Sequence, residues 1–97
     1  MSKSLEISVD GQDGPDPVVV LAGELDAYSA IDVEAAVAAC ASPPRLDLSR
    51  VTFCDSSGLR VLIESLRRGT RIDLTAASVP VQRVVDLTGV HELFGGT

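Results

Sequence analysis

Aromatic side chains are nearly missing from this chain, making up 3% of its 97 residues. A core without large rings must be built from Val, Leu, Ile and Ala, and a hydrophobic content of 45% suffices for one such core. Val and Ile favour strands, whereas Ala and Leu favour helices, so the mixture points to an α/β domain. The length suggests a single domain, and so short a chain has little stability to spare. Basic residues are also scarce: eight Lys and Arg stand against fourteen Asp and Glu, a net charge of −6. That deficit argues against a nucleic-acid binder, which needs a basic face to neutralise phosphates. It also argues against docking onto an anionic membrane. Acidity keeps a small protein soluble and can steer a basic partner surface towards it, although a merely solvated surface accounts for it equally well.

Only two cysteines occur, Cys40 and Cys54, without a CxxC spacing. They make no disulfide framework. With Cys40 among alanines, Cys54 beside Phe53, and no cation or His nearby to lower a thiol pKa, both read as small buried hydrophobes. The N-terminal MSKSLEISVDG lacks the apolar core of a signal peptide. No apolar run approaches the length of a bilayer span. The sequence therefore reads as that of a cytoplasmic protein.

Catalytic inventories are equally thin. The one histidine is His91, and a nucleophilic Ser needs a base, usually His. The hydroxyls of CDSSG do not form a GxSxG elbow. Neither GxxxxGK[ST] nor GxGxxG occurs, and two separated Cys, one His and scattered carboxylates make a poor metal set. An enzyme is the weaker reading, and no cofactor is implied.

Leu5, Ile7 and Val9 alternate with Glu6, Ser8 and Asp10, the period of a half-buried strand. GQDGPDP (11–17) is dense in turn formers. Val18-Val19-Val20-Leu21 is a continuous apolar run, read as a strand covered on both faces and paired antiparallel with the first. GELDAYSA (23–30) ends that strand and opens a helix. Ser29 and Asp32 form a short capping box there, with Asp26 as the alternative cap. Ile31, Ala35 and Ala38 share one face of this helix, and Ser42-Pro43-Pro44 ends it.

Arg45–Val51 reads as the next strand, anchored by Leu46, Leu48 and Val51. From Leu59 the period changes, and Leu59, Leu62, Ile63 and Leu66 make a helical stripe that Gly69 stops. Ile72, Leu74 and Ala76 alternate as a fourth strand. Ser78 and Pro80 then start a helix that carries Val81, Val84, Val85 and Thr88 and ends near Gly89. The order is β-β-α-β-α-β-α. It implies right-handed crossovers between parallel strands in a small mixed sheet of four to five strands, with the helices mostly on one face.

Asp55-Ser56-Ser57-Gly58 stands where a strand hands over to a helix. Asp55 can cap the free amides there, and two hydroxyls are displayed at the positive end of the helix dipole. Gly58 lies in the first turn, where it weakens a helix by about 1 kcal/mol relative to Ala. Capping alone explains Asp and Ser at such a place. A glycine that costs stability without local benefit points instead to a surface that something must approach closely.

GELD at 23–26, LDLSRVTFCDSSGLRVL at 46–62 and VQRVVDLTGVHELF at 81–94 resemble, in order and spacing, the STAS domains of bacterial anti-sigma factor antagonists. The resemblance spans nearly the whole chain, and DSSGL after a strand is its most specific part. It implies a small sheet packed by helices and a protein-binding switch without chemistry of its own. In that family the unphosphorylated antagonist binds an anti-sigma factor that is also a serine kinase, and so frees a sigma factor. Phosphorylation of the first Ser of DSSG ends the binding, and a serine phosphatase resets it. By position the phosphoacceptor is Ser56, and the partner-binding residues are Asp26, Asp55, Ser56, Ser57 and Gly58. The protein is expected to be a monomer.

Family members usually continue past LTG–LF into a last strand and helix. This chain stops at Gly95-Gly96-Thr97, so the expectation is one domain over 1–97 without those elements. Cys54 stands where an aliphatic residue is more common. Two competing readings share these residues: an adaptor docking on a transporter ATPase, with Ser56 only starting its helix, and a nucleotide or small-anion binder using the helix mouth.

Overall fold

The computed structural model describes residues 4–89; the HELFGGT segment and His91 lie outside them. Four strands, β1 (Leu5–Asp10), β2 (Val18–Leu25), β3 (Arg45–Cys54) and β4 (Arg71–Ile72), form one sheet in the order β1-β2-β3-β4. β1 and β2 are antiparallel, and the other two pairings are parallel. Helices α1 (Ala30–Ala38), α2 (Ser56–Arg67) and α3 (Val79–Thr88) complete the β-β-α-β-α-β-α order read from the sequence.

The sheet buries one face. Val19 is paired with Val9 on one side and Leu46 on the other, and Leu21 with Ile7, so these side chains share a face. With Leu48 they join Val33 and Val37 of α1, Leu59 and Leu62 of α2, and Val81 and Val85 of α3 in one core cluster. Glu6, Ser8 and Asp10 point to the other side and are exposed. The apolar run of β2 is therefore covered on one face only: Val18 and Val20 remain half-buried.

Several local expectations give way to tertiary pairing. β2 does not stop at Leu21 but continues through Gly23 to Leu25. Gly23 has φ +117°, and the pairing with β3 shifts register beside it. The glycine thus makes an irregularity inside the strand rather than its end. β3 likewise runs on to Cys54, held by its pairing with the extended β2. In α1 the buried side chains are Val33 and Val37, whereas Ile31 is 72% exposed and Ala35 and Ala38 are exposed. Two valines bury more apolar area than two alanines, and they set the rotation of the helix.

The fourth strand is only Arg71–Ile72, and Leu74–Ala76 form a 3₁₀ turn. There the Asp73 carboxylate accepts hydrogen bonds from the backbone N–H and hydroxyl of Thr75 at 2.9 and 2.6 Å. These local bonds offer the chain an alternative to the sheet ladder. α2 and α3 follow the sequence reading. Pro80 lies in the first turn of α3, and Gly89 closes it in the left-handed conformation, φ +71°. α2 packs against α1 on one flank and α3 on the other. Its buried arc is rotated from the predicted stripe: Val61 and Ser65 are buried with Leu59 and Leu62, whereas Ile63 and Leu66 are only half-buried.

Candidate functional site: the mouth of α2

β2 and β3 are parallel and end together, with Leu25 the partner of Cys54. The loops leaving them emerge side by side at the carboxyl end of the sheet, the usual place for sites in open α/β folds. Asp26 follows one strand and Asp55 the other. This register unites the predicted residues 26 and 55–58, although 29 positions separate the two aspartates.

Asp55 takes the N-cap position of α2 in an extended conformation, and its Oδ1 accepts the Gly58 N–H at 2.9 Å. Its carbonyl accepts the Leu59 N–H, also at 2.9 Å. A cap of this kind contributes about 1 kcal/mol. Gly58 is buried, and a Cβ built on it would lie 2.3 Å from the Leu25 carbonyl oxygen. The group that comes close is thus the end of β2 in the same chain, not a visitor. Gly58 helps to shape the surface by letting the two loops touch.

Asp26 folds back on its own loop. Its Oδ1 accepts the N–H groups of Tyr28 and Ser29 at 3.0 and 3.2 Å. These bonds hold the turn that leads into α1 and reach no amide of the helix itself, whose N-cap residue is Ser29. Ser29 makes no side-chain cap bond. It is 1% exposed, accepts the Asp26 N–H and donates towards the carbonyls of Glu24 and Asp26.

Of the DSSG residues, only Ser56 is exposed; Asp55 and Ser57 are half-buried. Ser56 occupies the first position of α2. Beside it a cleft of about 320 Å³ separates α1 from α2. Ala27 and Ala30 form one wall, and Ser56, Ser57 and Arg60 the other, with Glu34 and Glu64 farther along.

The comparisons with known proteins agree on this architecture. A family model described as Mlab, STAS domain matches residues 8–95. The chain belongs to the STAS domain family. The crystal structure of an anti-sigma factor antagonist from Mycobacterium paratuberculosis is similar to it with a TM-score of 0.75 and 32% identity, over 94% of this chain and 83% of that one. An antisigma-factor antagonist STAS domain from Rhodobacter sphaeroides shares the fold, at TM-score 0.58 and 20% identity, over 79% of this chain and 95% of that one. A search of curated proteins gives no match.

On the other side of Asp55, this STAS domain has a second groove, of about 470 Å³, lined by Phe53, Pro80, Arg83, Val84 and Leu87. Phe53 is 47% exposed and Leu87 82%. On the first side Tyr28 is 64% exposed, and Ile31 is open to solvent as well. Of the chain's three aromatic residues, Tyr28 and Phe53 thus lie at the surface, flanking the α2 mouth. Exposed aromatic and aliphatic groups around a polar centre have the composition of a docking surface. The sequence reading missed this rim, because Ile31 fell into a helical stripe and Phe53 into the connection after the strand read as Arg45–Val51, beside a cysteine taken as buried. The available signal was a ring-poor chain with two rings next to the motif loops.

Among the described residues no cluster of His, Cys, Asp or Glu could hold a metal ion, and no helix is long and apolar enough to cross a membrane. Cys54 is half-buried. Burial first, and the neighbouring Asp55 charge second, push its thiol up to about 11. At pH 8 about one thiol in a thousand is then ionised, against about one in four for a free cysteine. Iodoacetamide should therefore label Cys54 at least about a hundredfold more slowly in the native protein than in urea, as followed by peptide mass spectrometry. Equal rates would show that the thiol is not shielded.

Proposed function

We propose that this STAS domain is an anti-sigma factor antagonist that binds an anti-sigma factor serine kinase while Ser56 carries a free hydroxyl, and releases it when Ser56 is phosphorylated. The observation that carries this reading is the division of labour at the α2 mouth. Asp55 is engaged as a cap, and Gly58 is buried against Leu25. Ser56 alone is exposed, at the edge of a cleft and between apolar rims. Similarity to the Mycobacterium paratuberculosis antagonist supports the same role.

In the transfer, Ser56 Oγ forms a bond to the γ-phosphorus of ATP and the bond to the β-phosphate oxygen breaks. ADP leaves, and the hydroxyl proton passes to a base of the kinase. The product carries about −1.5 to −2 charge and three acceptor oxygens. At the first position of a helix that charge meets unpaired N–H groups and the positive end of the dipole, so the fold tolerates it. A partner packed over a neutral hydroxyl must instead desolvate a dianion beside the Asp55 carboxylate, and the interface fails there. A serine phosphatase restores the binding form. STAS chains acting this way make a switch at the interface without a change of fold.

Calorimetric titration of the anti-sigma factor tests the proposal. Ser56→Ala should bind like the wild type and resist modification by ATP and kinase. Ser56→Asp and the phosphorylated protein should bind at least about tenfold more weakly, or about 1.4 kcal/mol. Equal affinity of all four forms would end the proposal and leave Ser56 as an ordinary helix-start residue.

A further inference from the structure

We propose that Arg60 pairs, within the same chain, with the phosphate carried by phosphorylated Ser56, so that modification both adds an anion to the docking surface and withdraws a cation from it. The inference deepens the phosphorylation reading and rests on it. Ser56 and Arg60 are four residues apart on α2 and line the same cleft, and side chains at this spacing face one another on a helix. The anion stands N-terminal to the cation, the more favourable order along the helix dipole. A guanidinium can hold two phosphate oxygens at once, which an ammonium cannot do in the same plane.

The neighbouring charges leave Arg60 available. Glu64, one turn farther on, pairs with Arg67 at 3.7 Å. Glu34 reaches the cleft from α1. Asp55 uses one carboxylate oxygen on the Gly58 N–H. Arg60 is exposed and makes no ion pair among the described residues. Across the α1–α2 cleft, Ala27 and Ala30 have short side chains, which leaves room for the added phosphate beside Ser56. In the unmodified protein the free guanidinium is available to an acidic group of the partner. Once it clamps a phosphate, that contact is lost together with the neutral hydroxyl.

Phosphoserine installed at position 56 during translation makes the test independent of any kinase. The second ionisation of the phosphate is followed by ³¹P NMR against pH. A nearby cation favours the dianion, so Arg60→Ala should raise the second pKa by about 0.5, and Arg60→Lys should recover part of the difference. High salt should shrink the gap between wild type and Arg60→Ala. Arg83→Ala, in the groove on the other side of Asp55, should leave the titration where it was. An unchanged pKa in Arg60→Ala, or a larger rise in Arg83→Ala, overturns the assignment. Should Arg60 hold the phosphate while modified and unmodified proteins bind an anti-sigma factor equally, the switch falls and the pairing stands.

Discussion

Gly58→Ala is expected to destabilise the domain by about 3 kcal/mol, a loss of about 15 °C in Tm for a chain of this size. In an ordinary helix the same change would stabilise by about 1 kcal/mol, because alanine is the better helix former. Here the sign reverses. The new methyl carbon would stand 2.3 Å from the Leu25 oxygen, and 3.0 Å from both the Leu25 carbonyl carbon and Cys54 Sγ. The first obstacle is backbone, and Leu25 is fixed by its pairing with Cys54. Relief requires the start of α2 to lift from the sheet, which also breaks the Asp55 cap. Gly14→Ala is the matched control: a Cβ there meets nothing nearer than 3.5 Å, so its urea midpoint should stay level or rise slightly. A Gly58→Ala midpoint equal to that of the wild type would show that the two loops do not touch as described. Partner binding should fall in the same variant, since Ser56 moves with the lifted turn.

Gly23→Ala is expected to cost about as much, for a different reason. Its φ of +117° is a conformation that side chains with a Cβ rarely adopt, and the added carbon would lie 2.1 Å from the Ser4 carbonyl oxygen. That oxygen accepts the Glu24 N–H at 2.9 Å, at the start of β1. The variant must therefore distort β2 or peel back the beginning of β1. Hydrogen exchange should distinguish this damage from that at Gly58, with faster exchange at amides of β1 and its β2 partners and a smaller change at the start of α2. Wild-type stability in Gly23→Ala would contradict the observed irregularity between β2 and its neighbours.

Both glycines were visible in the sequence, and neither could be interpreted there. Gly23 looked like a strand end because glycine usually punctuates, yet the ladder on both sides carries the strand past it. Gly58 looked like an opening for a partner because the backbone that approaches it lies 33 positions earlier. Ile31 was assigned to the core by periodicity. Packing chose Val33 and Val37 instead and turned Ile31 outward beside the site. The alternation of Ile72, Leu74 and Ala76 suggested a strand, but Asp73 and Thr75 form a local turn that the sequence pattern did not weigh.

What the chain's order of residues determined alone is whatever closes within about one helical turn: the Asp55 cap on α2, Pro80 and Gly89 at the two ends of α3, the turn-rich connection after β1, and the exposure of a hydroxyl at position 56. These follow from hydrogen bonds and steric limits among near neighbours, which sequence specifies directly. The tertiary structure decided which strand ends beside which, and hence that Asp26 borders Asp55, that Gly58 must lack a side chain, and that Arg60 faces an alanine-lined cleft. Those outcomes depend on burying the apolar faces of three helices against one side of a sheet, a condition met only by the assembled chain.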